Sequence, residues 1–171
     1  RAVKSIVEAK NDDLAILELE KAFPSEYSFS IEEFQNIQTG EKIFVMGYPM
    51  ASTFGSFHPT ITTGIVSNAK GFGEMEGEFQ ITAKIHPGNS GGPIFDKQGA
   101  IVGVATGGID KKVILDEDGF IPDGINYGVS TERILRFLKE NQKINKSSYQ
   151  YDAATLYKYM RSAVVFIVAQ E

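Results

Sequence analysis

At 171 residues the chain has room for one ordinary domain or two small lobes, not for a large multidomain enzyme. It has no cysteine, which excludes disulfides, thiol nucleophiles, Cys-ligated zinc and iron–sulfur clusters. A formal net charge of −5, with no basic run, argues against a nucleic-acid or anionic-membrane surface.

Residues 2–9 alternate with period two and end at Lys10-Asn11-Asp12, a turn composition, so they predict a first strand. Residues 14–19 predict a second. The stretch 21–41 is polar and irregular, with Phe23, Tyr27, Phe29 and Phe34 as apolar anchors. Residues 42–47 predict a strand stopping at Tyr48-Pro49. The stretch 51–59 reads as a loop, and 60–67, rich in Thr, Ile and Val, as a strand. Gly71, Gly73 and Gly77 mark a turn before a strand over 78–85. Ile94-Phe95 and 100–104 predict a hairpin turning at Asp96-Lys97-Gln98-Gly99. Residues 113–115 and 125–129 flank an acidic turn, Asp116-Glu117-Asp118-Gly119.

Two segments predict helix. Ser130/Thr131 forms an N-cap with Glu132 in the first turn, followed by Ile134, Leu135, Phe137 and Leu138 at helical spacing. After a polar linker over 141–149, residues 152–160 place Leu156 and Met160 four apart. The apolar stretch 163–169 is far shorter than the roughly 20 residues that span a bilayer. Arg1 is not an initiator methionine and nothing beside it resembles a signal peptide, so the chain is expected to begin inside a longer product. Many short strands, Gly/Pro turns and late helices predict an all-β barrel or sandwich closed by a helix.

The sharpest chemical signal is Gly88-Asn89-Ser90-Gly91-Gly92-Pro93. Glycines on both sides of a serine let the chain turn tightly and leave backbone N–H groups pointing outward. Two such groups aimed at one point make an oxyanion hole. Gly88 and Ser90 are the natural donors, with the Ser90 hydroxyl as nucleophile. Taken alone, the same run also fits a plain turn between strands.

This run resembles the nucleophile motif of trypsin-like (chymotrypsin-fold) serine proteases, especially the HtrA/Deg-like branch. Asp13-Leu14-Ala15-Ile16-Leu17 resembles the strand start that carries the triad aspartate. Gly47-Tyr48-Pro49 followed by Thr63-Gly64-Ile65-Val66-Ser67 resembles the first hairpin of the second barrel. Residues 80–85 resemble the strand leading to the nucleophile loop, and Ile125-Asn126-Tyr127-Gly128-Val129-Ser130 the last strand before the closing helix. The resemblance runs from residue 1 to about 140. It implies an all-β, two-barrel trypsin-like fold with a truncated first barrel, a complete second barrel and C-terminal helices. Residues 1–40 would be the remnant of the first barrel and its linker, 41–140 the second barrel, and 141–171 a linker plus a helix–strand tail.

The resemblance further implies a serine endopeptidase acting through an acyl-enzyme on Ser90, with Asp13 as the residue that orients the imidazole. Asp12 would be a surface charge. Thr106, Gly107 and Gly108 match the segment that pairs with substrate as an added strand. Lys84 and Ile85 match the wall or floor of the specificity pocket, Lys84 with its ammonium in solvent. A peptide or unfolded protein is the implied partner. No metal and no organic cofactor are implied, and an exported or cell-envelope location follows from the resemblance alone.

The family's triad histidine precedes its aspartate, and no histidine precedes Asp13. The chain has two, His58 and His86. His86, four residues before Ser90, belongs to the wall of the nucleophile loop; His58, in the long loop of a second-barrel hairpin, is badly placed to bridge Ser90 and Asp13. Loss of the base costs about a million-fold in turnover, leaving roughly 10³–10⁴ over water. This chain alone is therefore expected to be nearly inactive, its base lying in sequence outside it. The alternative is a catalytically inactive peptide-binding module on the same fold.

Residues 151–171 resemble the helix-then-strand segment that leads into such a domain. They predict an extra strand on the barrel, the start of a second protease-like unit, or a segment that completes the first barrel of this or a neighbouring molecule by strand exchange. Asp116-Glu117-Asp118-Gly119 lacks the ligand series of an EF-hand. Gly71-x-Gly73-x-x-x-Gly77 lacks the dinucleotide fingerprint.

Overall fold

A computed structural model describes residues 2–21, 37–55, 58–106, 124–138, 151–165 and 167. The aromatic anchors at 23–34, the strand expected at 113–115, the acidic turn and the 141–149 linker lie outside them, as do Gly107 and Gly108.

Strands β1 (Val3–Glu8) and β2 (Ala15–Leu19) form a two-stranded antiparallel sheet, joined through the polar turn at 10–13. Its apolar side chains are poorly covered: Val3 is 40% exposed, Val7 54% and Ile6 60%. The remaining strands are β3 (Lys42–Gly47), β4 (Thr60–Asn68), β5 (Glu78–Ile81), β6 (Pro93–Phe95), β7 (Ile101–Thr106) and β8 (Asn126–Ser130). They close into an antiparallel barrel in the order β3-β4-β5-β8-β7-β6. Closure removes the free strand edges that an open sheet would present.

Barrel geometry follows from the alternation of side chains along each strand. Ile43 and Val45 point inward to Val66, Phe79, Ile81, Ile94 and Val102. Gly103 and Gly128 leave room for the Phe79 ring, which a Cβ at either position would meet at 2.7 and 2.9 Å. The other face of β3 is buried too, because Phe44 and Met46 join Phe95, Ile101, Leu156 and Val164 in a second apolar cluster outside the barrel. A strand covered on both faces needs an unbroken apolar run, which Ile43-Phe44-Val45-Met46 supplies.

Helix α2 (Thr131–Leu138) follows β8 directly and places Ile134 in the core, while Glu132 and Arg136 pair on the outside at 2.9 Å. Helix α3 (Ala153–Met160) starts at Asp152, whose carboxylate accepts the Thr155 N–H at 2.7 Å. This capping bond holds the Asp152 carboxyl below its ordinary range. Tyr151 donates its N–H to Lys97 O at 2.6 Å, anchoring α3 beside the β6–β7 turn.

Three expectations need correction. Part of the 51–59 loop is a short helix, α1 (Ala51–Phe54), closed by Gly55 at a φ of 63°. The strand expected over 78–85 keeps its ladder only to Ile81, because Ile81 pairs with Asn126, the first residue of β8. Beyond it the chain is held by single bonds, such as Asn126 Nδ2 to Ala83 O at 2.9 Å and the Thr62 hydroxyl to Lys84 O at 3.1 Å. Asp12 is not a plain surface charge: it pairs with Arg133 of α2 at 3.0 Å, and Arg133 also holds Glu78 at 3.0 Å, all three side chains being at most a fifth exposed. Their shared cation fastens the β1–β2 turn to the barrel. No helix among the described residues is long and apolar enough to cross a membrane.

Candidate active site

The loop after the β5 extension begins with Ile85, buried in the barrel core, and His86, exposed. Gly88 has a φ of 95°, and a Cβ there would sit 2.2 Å from Tyr48 O, so only glycine fits. The loop is clamped to the end of β3: Tyr48 N–H donates to Gly88 O at 3.1 Å and Met50 N–H to Pro87 O at 2.7 Å. Met50 accepts a left-handed φ of 50° to make that second bond. Asn89 is buried beneath the loop and packs on Gly47.

Within the loop, backbone donors are used selectively. Asn89 N–H bonds His86 O, Gly91 N–H bonds Ala105 O, and Gly92 N–H bonds Asn89 O, at 2.8 to 2.9 Å. Among the described residues, the Gly88 and Ser90 N–H groups have no acceptor. They flank the exposed Ser90, the pair that the sequence singles out.

Asp13 reaches the same end of the barrel by a short chain of bonds. Gly91 and Gly92 exchange hydrogen bonds with Ala105 at 2.8 Å. The next residue, Thr106, donates its hydroxyl to Asp13 Oδ2 at 2.9 Å. The end of β7 thus holds the loop with one residue and the carboxylate with the next. Sequence reasoning assigned Thr106 to substrate pairing and missed this hydroxyl contact. Lys84 and His58 are exposed.

Behind the loop lies a cavity of about 410 Å³, lined by Tyr48, Ser90, Val104, Ile134, Val164 and Ile167 among others. The chain after α3 forms part of its wall. Tyr48 donates its hydroxyl to Val164 O at 3.0 Å. Burial pushes the Tyr48 phenol above its ordinary range, with nearby Tyr157 adding to the effect, so the hydroxyl stays a donor. Sequence reading saw Tyr48 as a strand stop and as part of a hairpin motif, not as a contact to the tail; the signal available was a phenol beside a Pro at the end of an apolar run. Residues 164, 165 and 167 are in no strand, so the extra strand expected in the tail is not formed at these positions.

A hairpin beside a closed six-stranded antiparallel barrel, with a serine in a glycine turn at one end, defines a trypsin-like fold of the two-barrel class, its first barrel truncated. The model of the trypsin-like peptidase domain matches residues 1–104, over half of the chain, and the protein belongs to that family. It is 33% identical over 127 residues to the uncharacterized protein y4bJ of Sinorhizobium fredii, covering 74% of this chain and 19% of that protein. It is 25% identical over 154 residues to a serine protease HtrA-like of Staphylococcus epidermidis, covering 85% and 25%. The chain therefore spans about a fifth to a quarter of the length of these curated relatives. The crystal structure of the serine endoprotease from Yersinia pestis aligns with a TM-score of 0.55 over 74% of this chain and 39% of that one. At 23% identity, that likeness concerns the fold.

Proposed function

We propose that the chain forms the nucleophile half of a serine endopeptidase, with Ser90 as nucleophile and Asp13 as the residue that orients the base. The observation that carries this reading is the pattern of donors at 88–92: the N–H groups of 89, 91 and 92 are used within the fold, and those of Gly88 and Ser90 are left for an incoming oxyanion. The Thr106–Asp13 bond supports it, by fixing a carboxylate on the residue of β7 next to the one that holds the loop. Ser90 would attack the peptide carbonyl, its proton passing to an imidazole supplied by sequence outside this chain. The amine would leave with that proton, and water would hydrolyse the acyl-enzyme. A peptide segment would lie along the continuation of β7 at Thr106, Gly107 and Gly108 as an added strand, its specificity set near Lys84 and Ile85.

The test is a fluorophosphonate probe on the intact protein. Covalent labelling of Ser90, lost in Ser90→Ala, is the expected result. No labelling of a well-folded sample favours the second reading, an inactive peptide-binding module. That reading draws support from both histidines being exposed and following Asp13 in the chain. Strand exchange between copies through residues 151–171 is a further part of the proposal. It predicts a concentration-dependent dimer in sedimentation, lost when the chain is cut after residue 150.

A further inference from the structure

The chain after α3 does more than cover the outside of the barrel. Leu156 and Val164 enter the cluster built on Phe44 and Met46, so the tail is packed against β3. The residue just after β3, Tyr48, contacts both the tail and the nucleophile loop. The Tyr48 side chain donates to Val164 O, while its backbone N–H donates to Gly88 O. Its backbone carbonyl lies against Gly88, whose left-handed conformation keeps the approach open. Two residues on, Met50 holds Pro87 from a left-handed φ of its own. The cavity between the two sides is walled by both: Ser90, Gly91 and Gly92 on one, Val164, Val165 and Ile167 on the other. The cavity meets the loop at Gly88, Ser90, Gly91 and Gly92, beside the two N–H groups that have no acceptor among the described residues. Besides the buried Asn89, bonds to Tyr48, Met50 and Ala105 hold the loop in position.

We propose that segment 151–167 braces the 88–92 loop, and that Tyr48 is the positioning residue through which the brace acts. When the tail is docked, Tyr48 is pinned at its hydroxyl and presents its N–H to Gly88, which aims the Gly88 and Ser90 donors. When the tail leaves, that end of β3 loses an anchor and the loop loosens with it. The inference deepens the peptidase reading and rests on it for the meaning of the loop, but the coupling is measurable without turnover.

The test compares the wild-type chain with Tyr48→Phe, which keeps the ring and removes the bond to Val164 O. Hydrogen exchange is read at two groups of bonded amides: Leu156, Arg161 and Ala163 in the tail, and Met50, Asn89 and Gly92 at the loop. Loss of one such bond is expected to speed exchange about five-fold in both groups. The ¹H–¹⁵N signals of Gly88 and Ser90 should shift, while those of β5 and β8 stay in place. Leu156→Ala loosens the tail from its apolar side with the hydroxyl intact and should move the same loop amides and the same two signals. If either variant frees the tail and leaves the loop amides and the Gly88 and Ser90 signals at wild-type values, the inference is overturned. It is also overturned if Tyr48→Phe changes neither group. Coupling without fluorophosphonate labelling would overturn the peptidase reading and leave the brace; labelling without coupling would do the reverse.

Discussion

Replacing Leu156 with alanine should undock the tail and leave the barrel folded. Leu156 is fully buried in the outer cluster, among Phe44, Met46, Phe95, Ile101 and Val164, and has no place in the barrel interior. Losing three buried carbons forfeits about 2.4 kcal/mol of transfer free energy at roughly 0.8 per methylene. The cavity left behind brings a typical Leu→Ala change to about 3–4 kcal/mol. The tail's other attachments include buried Val164, a few half-buried side chains and the Tyr151 and Tyr48 hydrogen bonds, and most of this cost falls on its docking equilibrium. Native-state hydrogen exchange measures it directly. The amides of Leu156, Arg161 and Ala163 should exchange more than about 100-fold faster, while those of β5 and β8 keep wild-type rates. Equal acceleration in tail and barrel would show that the two clusters open as one unit, and would refute the separation of the layers.

Phe79→Ala, in contrast, empties the barrel itself and should cost about 3–5 kcal/mol in urea denaturation, read at every strand. Arg133→Met leaves Asp12 and Glu78 facing each other without their cation; about 2 kcal/mol of destabilisation is expected by the same measurement, discounted for partial exposure. Gly88→Ala forces a Cβ against Tyr48 O and should displace a donor, slowing probe labelling of the intact protein by about 100-fold or more. The Asp152 carboxyl is held below its ordinary value, so its capping contribution is complete above about pH 4 and is lost as the pH falls through the lowered value. Acid titration followed by exchange at the Thr155 amide should show α3 fraying before the barrel.

The barrel was legible because its signals are local. Period-two or short apolar runs between Gly, Pro and Asp turns located β1 to β4 and the β6–β7 hairpin within a residue or two, and Asp96 does organise that turn by accepting from Gln98 and Ala100. The tight glycine turn around Ser90 was readable for the same reason. What escaped were relations between distant residues. The ladder of β5 stops where β8 begins, and nothing in residues 78–85 encodes that limit. Asp12 read as a solvated turn residue because Arg133 lies in a helix far along the chain. The N-cap position of α1 is Met50, whose side chain makes no capping bond that could have announced the helix.

The double-sided burial of β3 also bears on how the chain is made. The inner face of Lys42–Gly47 finds its partners within the barrel sequence, but Phe44 and Met46 are covered in part by Leu156 and Val164, which leave the ribosome more than a hundred residues later. During that interval a nascent barrel carries an uncovered apolar strip on a strand, the kind of surface that recruits other chains. A segment synthesised more than a hundred residues after β3 thus shields that strand from its neighbours.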